Sequence, residues 1–99
     1  MSLVIDPAGK EIRALQKAAH WKGRQVLEIG CGDGRLTLRL AALGAGHIEA
    51  LDPDPGRVRI ARRNRPARYE RRINYHVGHA ERLKYHDGLF DIVIFAWAL

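Results

Sequence analysis

The feature that most constrains this chain is an alternation of two periodicities. Short apolar runs, "QVLEI" (25–29), "HIEAL" (47–51), "INYHV" (73–77) and "FDIVIFAWAL" (90–99), are separated by segments with helical spacing. Asp6-Pro7 reads as a helix cap with a first-turn proline, and Ile12, Leu15, Ala18 and Ala19 recur as one apolar face, so 7–21 is expected to be a helix that Gly23 ends. Leu36, Leu40 and Leu43 mark a second helix at about 34–43, stopped by Gly44 and Gly46. Asp54-Pro55 repeats the cap signal and opens a third helix that runs to about Asn64, before Pro66. A short helix or turn is expected at 80–86. Crossovers of this length imply parallel pairing, hence a layered α/β domain with one sheet. The 90–99 run is nearly continuously apolar, as a strand covered on both faces would be.

The first strand leads into "GCGDG" (30–34), where three glycines stand at alternate positions. In an open parallel sheet, ligands sit at the carboxyl ends of the strands, so this loop lies where a ligand is expected. Gly30 permits a tight turn, Gly32 lets the backbone approach a ligand, and Gly34 permits close packing or an unusual φ. Two phosphate-binding patterns compete and fail. A dinucleotide fingerprint needs glycine at the sixth position, which is Arg35, and a phosphate loop needs a Gly-Lys-Ser/Thr ending that is absent. The carboxylates of Glu28 and Asp33 bracket the loop and would repel a pyrophosphate, whereas a ligand carrying an ammonium and a second positive centre would be attracted. Asp52, at the end of the second strand, can accept both hydroxyls of a ribose. Asp54 is the better helix cap.

Charge is the second constraint. The net charge is +6, and eight arginines fall within 57–72. Such a stretch is either a phosphate-binding patch for nucleic acid or a solvated surface, and only Tyr69 and Tyr75 stand nearby to stack on bases. The one cysteine, Cys31, cannot build a disulfide framework, and no identifiable base would make it a nucleophile. No apolar run is long enough to span a membrane, and no signal peptide is seen, so a cytoplasmic location is expected. His76 and His79 lack further ligands at fitting spacing, so no metal site is expected.

The motifs "VLEIGCGDGRLT" (26–37), "ALDPDPGRVRIAR" (50–62), "VGHAERL" (77–83) and "FDIVIFAWAL" (90–99) come in one order that resembles the class I S-adenosylmethionine-dependent methyltransferases. The resemblance is strongest to the small-molecule enzymes of that class. It implies a Rossmann-like sheet and S-adenosyl-L-methionine as methyl donor, with S-adenosyl-L-homocysteine as product. It also implies roles. Gly30 and Gly32 would line the methionine part, with Cys31 and Asp33 in the same loop. Glu28 would orient the loop and the amino group. Asp52 would hold the ribose hydroxyls, with Pro53 beside the adenine. Ala80 would offer its backbone N–H to the adenine, and Phe95 a carbonyl near the methionine end. His79 stands where many relatives have an aspartate that accepts from the adenine amino group. It either takes that role as a neutral imidazole or is a surface histidine. Ala96-Trp97-Ala98-Leu99 replaces the Asn-Pro-Pro-Tyr of many enzymes that methylate amino groups, which points to a small-molecule acceptor.

The family's sheet has seven strands in the order 3-2-1-4-5-7-6, and residues 1–99 supply four, in the order 3-2-1-4, as a single partial domain. The half that carries substrate and catalytic residues is absent, and no catalytic residue is assigned. An open edge on the 90–99 strand would be apolar and unpaired. The chain is therefore expected to be a fragment of a longer enzyme, or to dimerise through that edge. A catalytically inactive cofactor- or nucleic-acid-binding module, using the arginines of 57–72, is the alternative, and a nicotinamide-dependent oxidoreductase is disfavoured.

Overall fold

The computed structural model describes residues 2–5, 21–79 and 89–95, so the helices expected at 7–21 and 80–86, and the end of the last apolar run, lie almost wholly outside the described residues. Five strands form one parallel sheet: β1 (Ser2–Ile5), β2 (Gln25–Ile29), β3 (His47–Asp52), β4 (Ile73–Val77) and β5 (Ile92–Phe95). Helix α1 (Arg35–Ala42) follows β2 and helix α2 (Pro55–Asn64) follows β3. The spatial order is β1-β5-β2-β3-β4. Its β4-β3-β2-β5 portion is the expected order 3-2-1-4.

The four expected strands stand in the expected order, and β1 adds a fifth. Ser2 to Ile5 pair in parallel with Ile92 to Phe95, on the side of β5 away from β2. Leu3, Val4 and Ile5 are apolar, two of them β-branched, which suits an extended chain. Their partner lies some ninety residues away, so no local pattern announces the pairing. The described part of β5 therefore has a partner on both sides. The open edge that the dimerisation idea invoked is filled by the chain's own beginning.

Successive side chains of a strand point to opposite faces. Val26, Ile48, Ala50, Ile73, Tyr75, Ile92 and Ile94 face α1 and α2 and form the larger core with Leu40, Ala41, Val58 and Ala61. Leu27, Ile29, Leu51 and Val93 face the other way and pack with Phe90 and Phe95. The same alternation places Glu28 on the helix-bearing face, between Ile94 and Ala50.

Arginines of the basic stretch complete the β4 edge. The Arg72 carbonyl accepts from the Ile48 amide, so by alternation the Ile73 and Tyr75 carbonyls point away from β3. Arg62 donates from Nε and Nη2 to the Tyr75 carbonyl, at 3.1 and 2.7 Å, and Arg65 donates to the Ile73 carbonyl at 2.8 Å. Arg72 reaches back from the start of β4 to the Ala41 carbonyl at 2.7 Å. Charge-assisted bonds of this kind satisfy backbone groups that an edge strand leaves exposed.

Candidate functional site

The glycine loop is strapped to the neighbouring strand. The Gly30 and Cys31 amides both donate to the Leu51 carbonyl, at 2.8 and 2.9 Å. Gly30, Gly32 and Gly34 have φ of 86°, 56° and 91°, a left-handed conformation that side chains disfavour. Gly34 has both of the reasons expected for it. A Cβ there would also meet the Tyr75 Oη at 2.6 Å and the Ala61 Cβ at 3.3 Å. Gly32 is different: among the described residues, only the Arg57 guanidinium stands near where a Cβ would sit, at 3.4 Å.

Asp52 closes the loop from β3. Its Oδ2 accepts from the Gly32 amide and its Oδ1 from the Asp54 amide, each at 2.9 Å. Two backbone donors fix the carboxylate while each oxygen retains a lone pair for a further donor. Asp54 caps α2 instead, accepting from the Gly56 amide at 2.8 Å. Pro53 is exposed beside Asp52. Asp33 pairs with exposed Arg35 at 3.3 Å, a contact of little energetic weight.

Glu28 does not line the loop surface. Its side chain is wholly buried beneath the loop, and the Thr37 hydroxyl of α1 donates to its Oε1. Among the described residues its Oε2 has no hydrogen-bond partner, and neither has the buried Oη of Tyr75. Burial first, and the neighbouring Asp52 charge, push the Glu28 carboxyl up to about 7 against the pull of the Thr37 hydrogen bond. The structure thus places Glu28 underneath the loop that the resemblance has it orient. Thr37 reads in the sequence as an ordinary helix position, and Tyr75 stands there only as an aromatic that could stack on bases, a role its burial removes. Burial and the Glu28 and Asp52 carboxylates also push the Cys31 thiol far up, so it stays protonated and cannot act as a nucleophile.

Phe95 ends β5 in register with Ile29, at the same end of the sheet as the loop. His79 is exposed just after β4, and Ala80 lies outside the described residues. His76 does not group with His79. On the sheet face opposite Glu28, His76 and His47 each place Nε2 2.6 Å from a different oxygen of Glu49, and Asn74 adds a third contact at 3.0 Å. Among the described residues no three His, Cys, Asp or Glu side chains are disposed to hold a metal ion, and no helix is long and apolar enough to cross a membrane. Of the arginines in 57–72, Arg62, Arg65 and Arg72 are committed to backbone carbonyls, and Arg68 lies over the Tyr69 ring at 4.7 Å. Half of the basic stretch is thus structural.

Comparison with known proteins bears on this site. Residues 26–99 match a family model described as a methyltransferase domain. The chain is 35% identical over 86 residues to a ubiquinone biosynthesis O-methyltransferase of Azorhizobium caulinodans, covering 87% of this chain and 32% of that protein. It is 33% identical over 73 residues to a ribosomal protein L11 methyltransferase of Thermotoga neapolitana, covering 74% and 26%. Among solved structures, Haemonchus contortus phosphoethanolamine N-methyltransferase 1, in complex with phosphoethanolamine and S-adenosylhomocysteine, superposes with a TM-score of 0.69 at 25% identity, over 83% of this chain and 17% of that one. The chain spans about a third or less of the length of these relatives.

Proposed function

From the premise that the chain belongs to the methyltransferase domain family, we propose that residues 1–99 form the S-adenosylmethionine-binding portion of a methyltransferase. The observation that carries this reading is Asp52, a carboxylate held by the Gly32 and Asp54 amides beside an open glycine loop. The residues fit the donor. Asp52 retains lone pairs for two ribose hydroxyls, the backbone at Gly32 admits close approach, and the acid beneath the loop favours a cationic ligand over a phosphate. Pro53, His79, Ala80 and Phe95 would complete the adenine and methionine ends, with Gly30, Cys31 and Asp33 in the loop. When bound, S-adenosylmethionine supplies an electrophilic methyl group on sulfur. What these residues supply is orientation, which carries much of the work in such a transfer.

For the acceptor we favour a small molecule, on the Ala96-Trp97-Ala98-Leu99 sequence at the end of the last apolar run. The relatives include enzymes named for a ubiquinone pathway and for a ribosomal protein, so the acceptor class rests on that sequence feature. A cytoplasmic location is proposed on the single, buried, protonated cysteine.

Calorimetry with S-adenosylmethionine, S-adenosylhomocysteine and NAD on one sample tests the reading. Binding of the first two and not the third is expected; no binding of S-adenosylmethionine by folded protein at millimolar ligand refutes it. Asp52→Ala should weaken binding at least tenfold, since it removes the ribose acceptor and releases the Gly32 amide. Unchanged affinity would refute the ribose assignment.

A further inference from the structure

The Glu28 pocket holds more chemistry than a loop support requires. Ile94, Glu28, Ala50 and Tyr75 lie side by side across four strands, and the small Ala50 leaves room for Glu28, Thr37 and Tyr75 to approach one another. Among the described residues, the groups that face Glu28 are the Cys31 thiol from the loop, Thr37 from α1, the Asp52 carboxylate from β3 and Tyr75 from β4; β5 contributes Ile94 and α2 contributes Val58 and Ala61 to the same core. Burial pushes the Tyr75 phenol up to about 12 and the thiol beyond that, so both are neutral. No cation stands among the causes that set the charge of Glu28, and the one charged group named there, Asp52, has the same sign.

A wholly buried carboxyl without a cation, next to a second carboxylate, keeps its proton. It is also incompletely bonded in either state. Ionised, Oε2 lacks a donor; protonated on Oε2, it lacks an acceptor. A ligand that brings positive charge to the loop above changes that balance. The reading of the loop as a seat for S-adenosylmethionine, on which this inference rests, places an ammonium and a sulfonium there.

We propose that binding of S-adenosylmethionine at the glycine loop is coupled to release of the Glu28 proton to solvent, with Thr37 and Tyr75 as the positioning residues that hold the acid beneath the loop. The O–H bond of Glu28 breaks, the proton passes to buffer, and the carboxylate left behind is balanced by the ligand's positive charge. The protein would then sense pH through donor affinity by way of a wholly buried carboxyl.

Calorimetric titration of the full chain with S-adenosylmethionine, in two buffers of different ionisation enthalpy at about pH 6.5, counts the protons. At that pH the ligand's own amino group is already charged. Release approaching one proton per ligand is expected, with Kd rising by up to about tenfold for each pH unit of acidification. Glu28→Gln should abolish the release and flatten the acid limb, and Tyr75→Phe, which makes the pocket less polar, should move that limb to higher pH. Binding without proton release, or release that persists in Glu28→Gln, overturns the coupling while the cofactor reading stands. No binding by folded protein overturns both. If Glu28→Gln does not fold, the carboxyl carbon resonance of Glu28 in the unaltered chain decides: it should shift to its ionised position on saturation at constant pH, and an unmoved resonance refutes the proposal.

Discussion

Glu28 and Glu49 sit on neighbouring strands, one residue apart in register and on opposite faces of the same sheet. Their surroundings drive them in opposite directions. Glu28 is fully buried with one side-chain donor, and burial raises it to about 7. Glu49 is also raised by burial, but hydrogen bonds from His47, Asn74 and His76 outweigh that and hold it below the ordinary carboxylate range. Strand position, side-chain type and parallel pairing are shared. What differs is the depth of burial and the number of donors within reach, and the two together separate a carboxyl that stores a proton from one that stays charged.

The largest effect is expected where the buried acid and the loop meet. Gly34→Ala places a methyl group against Tyr75 and Ala61 in a left-handed conformation. Backbone strain and overpacking each cost on the order of 1–3 kcal/mol, so a loss of about 3 kcal/mol is expected, which lowers Tm by about 12 °C or more. A nearly unchanged melt would mean that Tyr75 gives way easily, and the contrast with the Glu49 side would lose its basis in rigid packing. Gly23→Ala is the control: it too has a positive φ, but nothing stands within 4 Å of the added Cβ. It should cost less.

Next comes the pH dependence of stability. The folded-state value for Glu28, about 7, lies above its unfolded value of 4.5, so the folded protein binds the proton more tightly. The stabilisation is complete below 4.5 and is lost as pH rises through 7, by roughly 3 kcal/mol in all. Denaturant melts across that range should show stability falling with pH, and Glu28→Gln should remove most of the slope. A slope that survives the substitution would assign the proton to another group.

How far such contrasts can be read from sequence depends on distance along the chain. The runs at 25–29, 47–51 and 73–77, the two helices between them and the Asp54 cap are local patterns, and each stands within a residue or so of its expected place. Gly34 was legible as a special position, though not which residue fills the space beside it. The neighbours of Glu28 were not legible, because Tyr75 comes beside it only through parallel register across the small Ala50, and Thr37 only through the packing of α1 on the sheet. The same limit hid β1, whose pairing with β5 joins opposite ends of the chain. The arginines of 57–72 were ambiguous for a related reason. Composition registers their charge, while only the exposed carbonyls of β4 distinguish Arg62 and Arg65 from their solvated neighbours.

The smallest effect, and the sharpest check on the comparison, is Glu49→Gln. Its carboxylate remains one-quarter exposed, so solvent screening keeps each of its contacts weak, and the expected loss is below about 1 kcal/mol at neutral pH. The sign of its pH dependence is opposite to that of Glu28. A carboxyl held below its unfolded value contributes stability above that value and loses it as pH falls through the folded one. Glu49→Gln should therefore leave stability at low pH unchanged and lower it slightly near neutrality, whereas Glu28→Gln should raise it near neutrality relative to the unaltered chain. If both substitutions shift the melt in the same direction at pH 7, donor count does not control these two acids, and burial alone must be doing so on both faces.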